Sequence, residues 1–144
     1  MSKYLMVAVL IFACCAALSC QSYTKGLEQS VARADETAAI AALHSIASAQ
    51  RTYSVTNNGS YGTFAQLVQA GALDSRFNAD QPKFRGYVLV MTVNSKGPGE
   101  DAYMVNADPE GPGLQGRHFY TDSSGLIHVN ASQPASSTDP ALDQ

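Results

Sequence analysis

The sequence predicts an α+β domain in which one long N-terminal helix packs on a four-stranded antiparallel sheet. Three observations point there. From Leu27 to about Ser54 the chain has no proline or glycine and repeats apolar residues at helical spacing. After residue 85, short β-rich runs alternate with Gly-Pro connections. All three cysteines, Cys14, Cys15 and Cys20, lie in the first 20 residues, so no disulfide or thiolate metal site holds the domain together.

The chain has 144 residues, enough for one core once the first 19 are set aside. Apolar residues are 45% and charged residues 15%, a composition that folds. The formal charge is −3, which argues against a nucleic-acid partner, since neutralising phosphates needs a basic patch.

Residues 1–19 read as a signal peptide. Lys3 supplies one positive charge, and Tyr4 to Ser19 is an uninterrupted run of apolar and small residues. The run is shorter than the ~20 residues that span a bilayer as a helix. It ends Ala17-Leu18-Ser19-Cys20, followed by polar Gln21 and Ser22. This end resembles the lipobox of bacterial lipoprotein precursors, with Ala17 where that pattern most often has leucine. The resemblance implies a diacylglyceryl group on the Cys20 thiol, cleavage after Ser19, acylation of the new amine, and a membrane as partner. Gln21 is not the aspartate that retains many such proteins at the inner membrane, so outer-membrane delivery is expected. An ordinary signal with Cys20 incidental, or an uncut anchor, remain the alternatives.

Residues 20–26 are expected to form a tether, with Gly26 marking the helix start. The helix that follows should be about 28 residues and roughly 42 Å long. Leu27, Val31, Ala34, Ala38, Ile40, Leu43, Ile46, Ala47, Gln50 and Tyr53 form its apolar stripe. Arg33, Glu36, Ser45, Ser48 and Thr52 are expected on the opposite face.

Asn57-Asn58-Gly59-Ser60-Tyr61-Gly62 breaks the helix. Thr63-Phe-Ala-Gln66 fits a capping box, and Gly71 a stop, for a short second helix presenting Phe64, Leu67 and Val68. Gly86 to Val93, apolar on both faces, reads as a covered central strand. Ala102 to Ala107 alternates, with Tyr103 and Val105 on one face. His118 to Thr121 and Leu126 to Val129 flank Asp122-Ser-Ser-Gly125, a hairpin turn. The domain thus covers 27–130, and the Ala/Ser/Pro-rich residues 131–144 are expected to be disordered.

The order of elements resembles the globular domain of type IV pilins and pseudopilins. Glu36-Thr-Ala-Ala-Ile-Ala-Ala-Leu43, Tyr103-Met-Val-Asn-Ala-Asp-Pro109 and Gly116-Arg-His-Phe-Tyr-Thr-Asp122 carry the likeness, over roughly residues 35–130. It implies a pilin-like fold and partners among pilus, secretion or envelope proteins. The prepilin cleavage site and the long apolar filament helix of that family are absent, and a lipobox stands in their place. The family's fold therefore transfers better than its polymerising function.

No catalytic constellation is present. There is no Gly-x-Ser-x-Gly, no P-loop, and no His-x₃-His or His-x-x-Glu pairing. His44, His118 and His128 read as polar surface histidines, with the relation of the last two set by the hairpin register. Asp108-Pro-Glu110-Gly111 offers too few carboxylates in register for calcium. The expectation is no enzyme, no metal and no cofactor. The helix face from Leu27 to Ala38 and the loops 94–101 and 108–116 should carry contacts. The alternative is a periplasm-facing lipoprotein that binds a small ligand or metal ion.

Overall fold

A computed structural model describes residues 2–94, 102–111 and 116–142, with side chains from Gly26 onward. The chain divides into two compact units at Arg33/Ala34. Helix α1 runs Ser2–Thr56. It is followed by α2 (Phe64–Gln69), a 3₁₀ turn (Ser75–Phe77), and strands β1 (Lys83–Phe84), β2 (Tyr87–Asn94), β3 (Ala102–Pro109), β4 (His118–Asp122) and β5 (Ile127–Asn130). The strands form one antiparallel sheet in sequence order.

Within the first unit the described backbone is all helix, including the expected tether at 20–26. Gly26 does not start the helix. It costs about 1 kcal/mol in a helix interior, and no proline lies between residues 2 and 56 to add to that.

In the second unit, α1 buries Ala39, Ala42, Leu43, Ile46, Ala49 and Gln50 against the inner face of the sheet. That face carries Tyr87 and Leu89 of β2, Tyr103, Val105 and Ala107 of β3, Phe119 and Thr121 of β4, and Ile127 of β5. The helix ends at the asparagines. Asn57 Nδ2 donates to the Tyr53 carbonyl at 2.8 Å, and Asn58 (φ 53°) takes the left-handed turn that the Gly59 amide closes onto Ser54. The loop is then pinned by Gln50, which is fully buried. Its amide donates to the Gly62 carbonyl at 2.7 Å and accepts from the Gly62 amide at 2.9 Å.

The capping box at α2 forms as its spelling predicts. Gln66 N donates to Thr63 Oγ1, and Thr63 N to Gln66 Oε1. Phe64 and Leu67 are buried, and Gly71 takes φ 70° just beyond the end.

Three expectations about the sheet and the tail are also corrected. The sheet has five strands, not four: β1 is a two-residue strand joined to β2 through Arg85 and Gly86, both at positive φ. The pairing is too short for a periodic signal, and Pro82 precedes it. Second, β2 is not covered on both faces, since Val90 on its outer side is 39% exposed.

Third, the tail is ordered through Leu142. Val129 N donates to Pro140 O at 3.0 Å and Leu142 N to Ile127 O at 2.7 Å, so the tail closes the edge of β5. Ala135 is buried, and its carbonyl accepts from Asn106 Nδ2 at 2.8 Å. Asp139 gathers the bend, accepting from Asn130 Nδ2, Ser136 N and Ser136 Oγ. The polar composition that suggested disorder supplies these hydrogen bonds instead.

Candidate functional site

The sequence singles out Cys20, the helix face Leu27–Ala38 and two loops. The backbone of Cys20 lies within α1, and its side chain is outside the described residues. In the first unit Leu27 and Val31, one helical turn apart, are 50% and 60% exposed. In the second unit Ala34 is exposed and Ala38 partly so. Loop residues 95–101 and 112–115 lie outside the described residues. Of the second loop, Glu110 pairs with Lys83 across from β1.

The hairpin register settles the histidines. His118 pairs with Asn130 and Tyr120 with His128, so both histidines stand on the outer face, away from α1. They do not converge. His118 Nδ1 lies 2.6 Å from Asp108 Oδ1, while His128 Nδ1 lies 2.7 Å from the Asp139 carbonyl. Tyr120 separates them, its ring edge-on to His128 at 6.0 Å and its hydroxyl donating to Asp122 Oδ2 at 3.2 Å. His44 is exposed on α1. Among the described residues no three His, Cys, Asp or Glu side chains could hold a metal ion together.

The ionisable groups on this sheet are tuned by packing and hydrogen bonds. Burial raises the Tyr120 phenol, and Asp122 beside it adds to the rise. Burial also works to raise Asp122, but hydrogen bonds from Ser124 and Tyr120 outweigh it and hold the carboxyl below its ordinary value. Asp139 is lowered by hydrogen bonds from Asn130 and Ser136. On the inner face burial pushes Tyr103 up to about 12 and Tyr87 higher still. None of these groups faces a nucleophile paired with a base.

Sequence reasoning missed the Glu36–Arg117 pairing. Glu36, expected on the solvent face, is only 14% exposed in its side chain and binds Arg117. The signal was present: positions 36, 39, 43, 46 and 50 fall on one helical stripe, the buried one.

Two clefts flank the C-terminal half of β2. One, of about 400 Å³, includes Phe64, Ala65, Asp80, Met91 and Val93 in its lining. The other, of about 460 Å³, is lined only by uncharged groups, among them Tyr53, Asn58, Ser60, Tyr61 and Gln66. No protein family, curated protein or solved structure matches this chain.

Proposed function

We propose that this chain is a lipid-anchored protein of the bacterial envelope, attached through Cys20 after removal of residues 1–19. Its pilin-like domain then works by contact with other envelope, pilus or secretion proteins. The observation that carries this reading is the run from Tyr4 to Ser19 ending Ala17-Leu18-Ser19-Cys20. A diacylglyceryl group with a further acyl chain anchors stably where a single chain is marginal, since each buried CH₂ contributes about 0.8 kcal/mol. Among the described residues no helix is long and apolar enough to cross a membrane. The order of a long helix, a pinned loop and an antiparallel sheet supports the pilin-like part. Gln21, which is not the aspartate of inner-membrane retention, favours the outer membrane over the inner in a cell that has two membranes.

The test is metabolic labelling with an alkyne fatty acid, comparing wild type with Cys20→Ala in membrane fractions. Loss of label and of membrane retention in the variant is the expected result. An unlabelled wild type that stays membrane-bound would sink the lipid reading and leave residues 4–19 as an uncut anchor.

A second reading, a small-ligand lipoprotein, is favoured by the uncharged cleft beside Tyr53 and Tyr61. Its hydroxyls and amides suit a neutral polar ligand. Thermal shift against a panel of neutral sugars and metabolites tests it, because a ligand bound only by the folded state raises Tm.

A further inference from the structure

One stretch of the sheet's edge, along the second half of β2, has no pairing strand among the described residues. At β5 the tail caps the edge through Pro140 and Leu142. On the other side β1 covers β2 only as far as Leu89, whose amide donates to Pro82 O at 2.9 Å. Had β1 run on in that register, Asp80 and Ala79 would pair with Met91 and Thr92. Instead Asn78 (φ −79°, ψ 62°) makes an inverse γ-turn, closed by Ala79 N donating to Phe77 O at 2.8 Å. The chain leaves the edge there, and Ala79 and Asp80 line the 400 Å³ cleft beside Met91 and Val93.

Main-chain groups two residues apart on a strand point the same way. Those of Met91 and Val93 therefore face the side on which Leu89 meets Pro82. Among the described residues they have no hydrogen-bond partner. Edge strands are normally guarded by charge, proline or a bulge. Val90 to Asn94 carries no charge and no proline, and its pairing with β3 runs without a bulge.

We propose that this edge takes up one extended peptide segment of a partner protein, pairing antiparallel with Met91 and Val93. Alternate apolar side chains of the segment would enter the cleft against Phe64 and Ala65. Asp80, the one charged residue in the lining, calls for a lysine or arginine in the segment. A basic segment of a partner is favoured over the same edge of a second copy, because this chain's own Val90 to Asn94 offers Asp80 no cation. Main-chain hydrogen bonds would give the affinity and the cleft the selectivity. The inference rests on the contact role proposed above and names its chemistry. The two fail separately, since fatty-acid labelling reads only Cys20 and a peptide titration reads only the edge.

The experiment uses the full chain, ¹⁵N-labelled in detergent, and the peptide acetyl-Lys-Val-Lys-Val-Lys-amide. In the free protein the Met91 and Val93 amides should exchange rapidly while Val90 and Thr92 are protected. Titration should shift and protect Met91 and Val93 saturably. N-methylation of both valines, which removes the pairing donors, should weaken binding by roughly tenfold or more. N-methylation of the central lysine, whose amide points away, should change little. Asp80→Asn should weaken binding by about threefold. Met91 and Val93 amides already protected in the free chain, no saturable shift, equal losses from the two methylations, or indifference to Asp80→Asn would each overturn the proposal as stated.

Discussion

Glu36 on α1 and Arg117 before β4 lie 81 residues apart in sequence and meet through three hydrogen bonds. Arg117 Nε and Nη2 donate to Oε2 at 3.1 and 2.9 Å, and the Arg117 amide donates to Oε1 at 3.0 Å. The Arg117 carbonyl in turn accepts from the Tyr87 hydroxyl at 2.9 Å. The approach is close enough that a Cβ at neighbouring Gly116 would sit 2.6 Å from that hydroxyl. One carboxylate thus ties helix, loop and sheet together.

Glu36→Ala should destabilise the domain by about 1–2 kcal/mol. Charge-assisted bonds contribute more than neutral ones, but the half-exposed arginine screens part of the gain. A double-mutant cycle with Arg117→Ala, read by urea unfolding, should give a coupling of about 1 kcal/mol that shrinks in high salt. Additive single effects would show that the pair contributes nothing.

Gln50→Leu should cost more, about 2–4 kcal/mol, although it adds apolar surface to the core. The Gly62 amide and carbonyl would lose their partners inside the protein, and each buried unpaired group costs about 1–3 kcal/mol. The check is the denaturant midpoint at constant slope. A neutral outcome would mean that water reaches Gly62.

Arg85→Asn should stabilise, by about 0.5 kcal/mol. Arg85 and Gly86 are the two central residues of the β1–β2 turn, with φ of 45° and 76°. That geometry favours asparagine before glycine, whereas arginine is strained there. A lower Tm for the variant would refute the assignment of the strain to Arg85.

Asp139→Ala should release the tail without unfolding the sheet. Three protein groups donate to its two oxygens, and the bend they fix brings Pro140 and Leu142 to the β5 edge. Amide exchange at Val129 and Leu142 should accelerate strongly while Val105 and Phe119 stay protected. Acid should mimic the variant. The folded carboxyl is lowered, so its contribution is present above the ordinary value of about 3.9 and is lost as pH falls through the lower folded value. Tail exchange that does not respond to the variant would show that Ala135 burial alone holds it.

What the sequence made legible was what repeats or is spelled locally. The long helix follows from sustained 3.6-residue periodicity, and α2 from four letters, Thr63 to Gln66. The late hairpin follows from Asp122-Ser-Ser-Gly125. What stayed hidden depends on partners distant in the chain. Glu36 reads as a solvent-face residue by type, and only its stripe position hints at Arg117. β1 exists because Pro82 and Phe84 find β2, not because two residues prefer a strand. The tail composition is that of a disordered segment, yet Asp139 and Asn130 give its backbone somewhere to bond. The two histidines could be placed on one face only once the register was known.

Alkaline pH offers the last test of the core. Burial is the main cause holding the Tyr103 phenol at about 12, against an ordinary value near 10, and it raises Tyr87 further. The sign follows from proton counting. Between pH 10 and 12 the unfolded chain loses the Tyr103 proton and the folded chain keeps it, so unfolding is increasingly favoured as pH rises. The contribution is fully present below pH 10 and is lost through that window. A spectrophotometric titration should therefore contain a late phenolate phase that coincides with loss of helical circular dichroism. Tyr103→Phe should reduce the amplitude of that phase and make stability less sensitive to pH in the same window. Phenolate absorbance that is complete near pH 10 with the circular dichroism intact would mean that Tyr87 and Tyr103 are open to water, and that the packing of Tyr61 edge-on to Tyr103, at 4.8 Å between ring centroids, does not hold in solution.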